Sequence, residues 1–173
     1  MLFRSVAEPT RESVIGYSEI RDRVDGLVGV VNGAYGLVGQ PAINYLHRSQ
    51  SIEELVALYL AADVMLVTPV RDGMNLVCKE FIAARTDDTG VLVLSEFTGA
   101  AESLGSALLI NPYDTDGLKN AIDRAVHLPE ADVRRRMELL RESVMTNDVY
   151  AWAHSWMVAL GIESEHDDAG APS

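Results

Sequence analysis

Three short apolar runs constrain the fold of this chain more than any other feature of its sequence. They lie at residues 64–67, 91–94 and 107–110, and none of them alternates between apolar and polar side chains. Uninterrupted runs of this kind, bounded by turn residues, are typical of strands that are buried on both faces of a parallel sheet. The stretches between them have helical spacing, and this alternation predicts an α/β fold with right-handed crossovers. We therefore expect an open parallel sheet flanked by helices.

The other elements follow from apolar spacing and from residues that are typical of helix ends. Residues 2–7 and 43–46 are short strand candidates. Helices are predicted at 11–31, after Ser51, at 76–85, from 114 or 115 to 127, and after Pro129 and Asp148. Ser51 and Glu54 have the spacing of a capping box, and Pro129 suits a first helical position. The glycines of segment 32–36 suit backbone beyond a helix end. One face of the helix after Pro129 carries Val133, Met137, Leu140 and Val144.

Length, charge and cysteine content exclude several classes of protein. A chain of 173 residues can bury a real core, and we expect one domain over residues 1–162 before a disordered acidic tail at 163–173. The net charge of −12 argues against nucleic acid or an anionic membrane as a partner. The single cysteine, Cys78, excludes an internal disulfide, and no apolar run is long enough to cross a bilayer. We expect a cytoplasmic protein.

The loop that follows residues 64–67 carries the most chemical information. In an open α/β sheet, ligands bind beyond the carboxyl ends of the strands, which is where this loop lies. Asp72 and Gly73 precede a helix that begins near Leu76. Free N–H groups in its first turn, those of Leu76 and Val77, favour a phosphate. Glu80 lies one turn further along the same helix face. The pattern predicts a phosphate between two hydroxyl-bearing groups, which describes a nucleotide sugar.

Simpler structural interpretations compete with these. Asp72 would then only cap the helix, and Glu80 would be an ordinary solvated side chain. The four histidines are scattered and show no metal-ligand spacing, so no metal site is predicted. Trp152 and Trp156 lie four residues apart, which is typical of a packing stripe on a helix. Nothing near Cys78 in the sequence resembles a general base, so we do not expect it to be a nucleophile.

The stretch from Thr68 to Glu80 resembles the donor-site signature of trehalose-6-phosphate synthases, T-P-x-R-D-G-M-N-L-V-x-K-E. Segments 32–36, 61–64, 95–101 and 111–114 resemble the same family, and the likeness extends over about residues 5–160. These enzymes are retaining glycosyltransferases with two Rossmann-like domains. The chain resembles the carboxyl-terminal, donor-binding domain, without its beginning. The resemblance implies transfer of glucose from UDP-glucose to glucose 6-phosphate, with no metal and no cofactor.

The resemblance also implies a role for individual residues. The N–H groups of Leu76 and Val77 would bind the donor diphosphate, and Glu80 would bind the ribose hydroxyls. The glucose would be lined by Asp72, Gly73, Met74 and Asn75. Gln50 falls where the family contacts uracil through the main chain, which leaves UDP, GDP and ADP donors open. Arg11 falls where the family binds the phosphate of glucose 6-phosphate.

The expected activity is limited by what the resemblance does not cover. The family's amino-terminal domain supplies most of the acceptor pocket, and an upstream Arg and Lys neutralise the donor diphosphate. Losing two such cations is expected to be severe, so we expect little or no synthase activity from this chain alone. In the family the last helix braces the other domain, so its apolar face would be exposed here. Two alternatives remain, namely a non-catalytic fragment or partner subunit that binds a nucleotide sugar, and a related retaining glycosyltransferase with another acceptor.

Overall fold

Strands and helices alternate along the chain. A computed structural model describes residues 3–7, 9, 15–147 and 149–162. The strands in this part are β1 (Phe3–Ala7), β2 (Ile43–His47), β3 (Val64–Val67), β4 (Val91–Ser95) and β5 (Leu108–Ile110). The helices are α1 (Ile15–Tyr35), α2 (Ile52–Ala61), α3 (Leu76–Ala84), α4 (Thr115–Val126), α5 (Glu130–Thr146) and α6 (Val149–Ala159). Each of these strands pairs in parallel, which confirms the predicted α/β class.

The first of two compact units, Met1–Leu55, is built on the pairing of β1 with β2. The strands run parallel, with Phe3 opposite Ile43. Asn32 joins α1 to β2 through its side-chain amide. It donates to the carbonyl oxygen of Ile43 at 2.9 Å and accepts from the N–H of Ile43 at 2.7 Å. Because both backbone groups of Ile43 are used, this single side chain fixes the helix against the strand.

Helix α1 ends later than its glycines predict. The expected helix end at 32–36 is wrong for most of that segment, because α1 continues to Tyr35. Gly36 is the first residue beyond the helix, and a Cβ at this position would lie 2.5 Å from the carbonyl oxygen of Asn32. Glycine therefore permits the close turn at 36, while Gly33 is an ordinary helical residue. The predicted start of this helix, near residue 11, lies outside the described residues.

The capping box predicted at the start of α2 is present. The N–H of Ser51 donates to Oε2 of Glu54 at 2.9 Å, and the N–H of Glu54 donates to Oγ of Ser51 at 3.2 Å. Arg48 adds a hydrogen bond to Oε1 of Glu54, also at 2.9 Å. Two backbone N–H groups at the helix start thus gain local partners.

The second unit, Val56–Ser173, contains a three-stranded parallel sheet with β4 in the middle. Val93 of β4 pairs with Leu108 of β5, and β3 pairs with the opposite edge of β4. All five residues of β4 are buried, as its apolar run predicts. Burial on both faces is wrong for β5, where Leu109 is 46% exposed. Within the described residues, β5 is an edge strand with one uncovered face.

Helices α4 and α5 pack in this second unit. A core cluster between α4 and the sheet is formed by Val91, Val93, Leu108, Ile110 and Ala125. On α5, Met137 and Leu140 are buried, while Val133 and Val144 are partly buried. This confirms the apolar face predicted for the helix.

The predicted helix caps have three outcomes. Asp114 caps α4, with its Oδ1 accepting the N–H of Gly117 at 2.9 Å, which confirms one of the two candidates. Pro129 occupies the cap position of α5, one residue earlier than expected, because the helix begins at Glu130. Asp148, the predicted cap of the last helix, lies outside the described residues.

Helix α6 leaves large apolar side chains exposed. Trp152 and Trp156 are 58% and 56% exposed, with ring centroids 6.1 Å apart. The packing-stripe prediction is therefore wrong within the described structure, whereas the exposed apolar face implied by the resemblance is observed. None of the described helices combines the length and apolarity that crossing a membrane requires.

A buried arginine that the sequence analysis did not single out joins α2 to the loop after α3. Arg85 is 4% exposed, and its guanidinium donates to the carbonyl oxygens of Tyr59, at 3.1 Å, and of Leu60, at 2.6 Å. It also donates to the carbonyl of Thr89 at 2.9 Å and lies 3.2 Å from a carboxylate oxygen of Asp87. A buried charge is tolerated where partners satisfy it. Here the partners are the carbonyl oxygens near the end of α2 and the residues of the loop after α3.

Replacing Arg85 by methionine should lower the free energy of unfolding by about 2–4 kcal/mol, since several buried acceptors lose their donor at once. Urea denaturation followed by circular dichroism measures the change. The matched control is Arg134→Met, which removes an exposed ion pair with Glu130 and should change stability little. Equal stability of the two variants would show that the Arg85 network does not stabilise this unit.

Candidate functional site

The loop from 68 to 75 joins β3 to α3 and lies against the loop after β4. Both loops leave the same edge of the sheet because β3 and β4 are parallel. The N–H of Asp72 donates to the carbonyl of Phe97 at 3.3 Å, and the N–H of Gly99 donates to the carbonyl of Asp72 at 3.1 Å. A third bond, from the N–H of Ala100 to the carbonyl of Met74, measures 3.2 Å. The main chain that carries Asp72 and Met74 is therefore held in place from the neighbouring loop.

Gly99 makes this close approach possible. A Cβ at residue 99 would collide with the carbonyl oxygen of Gly73. Beside it, Thr98 is buried and its Oγ1 donates to the carbonyl of Ser95 at 2.9 Å. The sequence assigned no role to Gly99 or Thr98, although segment 95–101 resembles the synthase family. That resemblance marks the segment, but it does not reveal that Gly99 contacts the loop that carries Gly73.

Asp72 is held by the residues that follow it. Its Oδ1 accepts the N–H of Met74 at 3.1 Å, and its Oδ2 accepts Nδ2 of Asn75 at 2.9 Å. Hydrogen bonding, chiefly from the Asn75 side chain and then from the Met74 N–H, lowers the pKa of Asp72 below its ordinary value. The carboxylate is therefore ionised at neutral pH and has acceptor positions left for a ligand.

The helix cap is Asn75, which overturns the simpler interpretation of Asp72 as the cap. Asn75 lies in the left-handed region, with φ of 71°, a conformation that asparagine tolerates better than most residues. Its Oδ1 accepts the N–H of Cys78 at 2.9 Å. One side chain thus caps α3 and orients Asp72.

Two backbone N–H groups remain available at the start of α3. Within the described part of the chain, those of Leu76 and Val77 have no hydrogen-bond partner. Both side chains are exposed, whereas Cys78, Phe81 and Ile82 on the other face are buried. The buried face fixes the helix, and the free amides at its positive end can bind an anion.

Glu80 lies one turn further along the exposed face of α3. Its Oε2 accepts the hydroxyl of Tyr59 at 2.9 Å, and the side chain is otherwise open to solvent. The structure thus brings together Asp72, the two free N–H groups and Glu80 on one loop and helix. Gly73 and Met74 are exposed at the same loop.

Two predicted site residues are not tested by this geometry. Gln50 belongs to the first unit, where its Nε2 donates to the carbonyl of Arg48 at 2.9 Å. Arg11 lies outside the described residues. The roles expected for them stay predictions.

Comparison with known proteins adds to the geometry of this loop and helix. Residues 2–161 match the model of Glycosyltransferase family 20. The chain belongs to this family. The motif from Thr68 to Glu80 forms the loop after β3 and the first turns of α3 described above.

Curated relatives are trehalose-6-phosphate synthases. That of Mycolicibacterium smegmatis is 50% identical over 165 residues, which are 95% of this chain and 33% of the relative. That of Mycobacterium tuberculosis is 51% identical over 155 residues, or 90% of this chain and 31% of the relative. The chain spans about a third of the length of the curated relatives that it matches.

Solved structures confirm the Rossmann-like fold predicted for this family 20 chain. A UDP-forming α,α-trehalose-phosphate synthase from Burkholderia xenovorans, in complex with glucose-6-phosphate, has a TM-score of 0.86 and 39% identity. The match covers 92% of this chain and 35% of that one. An E. coli structure bound with UDP-2-fluoro glucose has a TM-score of 0.87 and 37% identity, covering 94% and 36%.

Replacing Asn75 by glycine should raise the pKa of Asp72 towards its ordinary value, because the largest cause of its lowered pKa is removed. Glycine keeps the positive φ without strain. Since the folded state lowers this pKa, the ionised carboxylate stabilises the fold at neutral pH, and this contribution is lost as the pH falls through the folded pKa. In Asn75→Gly, the free energy of unfolding should therefore fall less as the pH is lowered through the pKa of Asp72.

Carboxyl-detected NMR titration measures the pKa in both proteins. Asp87, whose pKa is lowered by the Thr89 hydroxyl, is the internal control and should not move. An unchanged Asp72 pKa in Asn75→Gly would show that the Asn75 side chain is not the main cause of the lowered pKa.

Replacing Gly99 by alanine should lower the free energy of unfolding by about 1–3 kcal/mol, because the new Cβ pushes on the carbonyl of Gly73. Urea denaturation provides the measurement. Gly105→Ala is the matched control, since nothing lies within 4 Å of a Cβ at that position. If both variants are equally stable, the two loops are not in the close contact described.

Proposed function

We propose that the loop and helix from Asp72 to Glu80 bind the nucleotide-sugar donor UDP-glucose. The observation that carries this proposal is the pair of free N–H groups at Leu76 and Val77, with the carboxylates of Asp72 and Glu80 before and after them. A sugar nucleotide offers a matching order of groups, with a diphosphate between a sugar and a ribose.

The diphosphate is the ligand group for the two amides. Asn75 leaves both of them free because its side chain takes the next N–H, that of Cys78. Negative charge increases on the diphosphate as the glucose leaves, and donors that are already aimed at it stabilise that charge. The N-terminal end of the α3 dipole acts in the same direction.

The sugar end of the donor falls to the loop before the helix. Asp72 is ionised and keeps acceptor positions beyond those used by Met74 and Asn75, so it can accept bonds from glucose hydroxyls. Nothing lies within 4 Å of the position that a Cβ would take at Gly73, which leaves room for the ring on that side of the backbone. Met74 and Asn75 complete the lining in this proposal.

Glu80 accepts bonds from the ribose hydroxyls in this proposal. The contact of the Gln50 main chain with the base is a separate proposal, because Gln50 belongs to the first unit. Uracil is the base we propose, supported by the E. coli structure bound with UDP-2-fluoro glucose.

The proposed reaction belongs to the whole protein, since this chain spans about a third of its relatives. Glucose passes from UDP-glucose to glucose 6-phosphate, which gives trehalose 6-phosphate and UDP. The Burkholderia relative in complex with glucose-6-phosphate supports this acceptor. Arg11 is proposed to bind its phosphate, because a guanidinium donates two parallel hydrogen bonds. The proposal includes a cytoplasmic location, as the free thiol of Cys78 suits a reducing compartment.

Isothermal titration of the purified chain with UDP-glucose tests the donor site. We expect saturable binding that Asp72→Ala and Glu80→Ala each weaken at least about tenfold, or about 1.4 kcal/mol. The matched control is Asp116→Ala, which removes an exposed carboxylate at the start of α4 and should leave the affinity unchanged.

Circular dichroism establishes that each variant is folded. A folded chain without saturable binding would overturn the proposal. So would Asp72→Ala and Glu80→Ala variants that both bind UDP-glucose as tightly as the unmodified chain and the Asp116→Ala control.

A further inference from the structure

Tyr59 contacts the candidate donor site, and the proposed function assigns it no role. It lies on α2 and is only 7% exposed. Its hydroxyl donates to Oε2 of Glu80 at 2.9 Å, across 21 positions of sequence. A buried side chain thus reaches the exposed carboxylate that we propose to bind the ribose.

Tyr59 is fixed at both ends. Its ring packs edge-on against Phe81, with centroids 6.3 Å apart and planes at 77°. Its carbonyl oxygen accepts from the buried guanidinium of Arg85 at 3.1 Å. Burial and the neighbouring Glu80 carboxylate raise the pKa of Tyr59 above its ordinary value, so the hydroxyl keeps its proton at neutral pH. The Tyr59 hydroxyl is therefore held in a fixed position and remains a hydrogen-bond donor at neutral pH.

Glu80, by contrast, is an exposed side chain with several rotatable bonds. Holding a free glutamate in one rotamer costs conformational entropy. A hydrogen bond that orders it before the ligand arrives removes part of that cost from binding. An ionised carboxylate has about four acceptor positions. Tyr59 occupies one, which leaves enough for two neighbouring hydroxyls.

We propose that Tyr59 is a positioning residue that presets the Glu80 carboxylate to accept the two ribose hydroxyls of the donor. This rests on the proposed function of the loop and helix as a nucleotide-sugar site. Tyr59 itself touches no part of the ligand in this arrangement. Its effect therefore passes through Glu80 and depends on a ligand that carries ribose hydroxyls.

The test compares UDP with 2′,3′-dideoxy-UDP by isothermal titration against the unmodified chain and Tyr59→Phe. Phenylalanine keeps the ring packing and removes only the hydroxyl. We expect Tyr59→Phe to weaken UDP binding about fivefold to tenfold. Binding of the dideoxy nucleotide should change less than about twofold, because it has no hydroxyl for Glu80 to accept. In a Glu80→Ala background, Tyr59→Phe should cause no further loss.

The matched control is Tyr35→Phe, at a tyrosine that is 78% exposed at the end of α1 and should not affect either nucleotide. Equal weakening of UDP and the dideoxy nucleotide by Tyr59→Phe would indicate a general structural role and overturn the inference. Unchanged UDP affinity in Tyr59→Phe would also overturn it. These results differ from failure of the proposed function, in which the folded, unmodified chain binds neither UDP nor UDP-glucose.

Discussion

Parallel strands end at the same edge of a sheet, and here this brings the loop after β3 against the loop after β4. The candidate site depends on that contact. Backbone bonds from Asp72, Gly99 and Ala100 hold the first loop in place, and Gly99 has no Cβ that would keep the loops apart. Because the carboxylate of Asp72 is carried by this loop, its position is set by main-chain pairing between loops rather than by its own neighbours alone.

The start of α3 uses one backbone donor for the fold and leaves two others free. Asn75 satisfies the N–H of Cys78, while those of Leu76 and Val77 have no partner among the described residues. A full set of local caps would have stabilised the helix and left no backbone donor free for an anion. The buried face of α3, with Phe81 and Ile82, compensates by anchoring the helix through packing. The buried face thus stabilises the helix, and the free donors of the proposed binding site need not do so.

Local features of the fold and of the candidate site could be predicted from the sequence, and long-range contacts could not. The capping box of Ser51 and Glu54, the cap at Asp114 and the exposed face of α3 follow from spacings of three and four residues. Arg85 and Tyr59 each make a hydrogen bond to a residue more than twenty positions away in the sequence. The overlong α1 has the same cause, since Asn32 is bound to β2 rather than ending its helix.

The sequence by itself determined the strand order along the chain, the parallel class of the sheet and the motif from Thr68 to Glu80. These features follow from apolar runs and from spacings of three and four residues, because such patterns depend only on the local geometry of strands and helices. Only the tertiary structure decided that Asn75 rather than Asp72 caps α3, that Gly99 admits the neighbouring loop, and that Tyr59 reaches Glu80. Each of these depends on distances between segments, and such distances are set by packing rather than by local sequence.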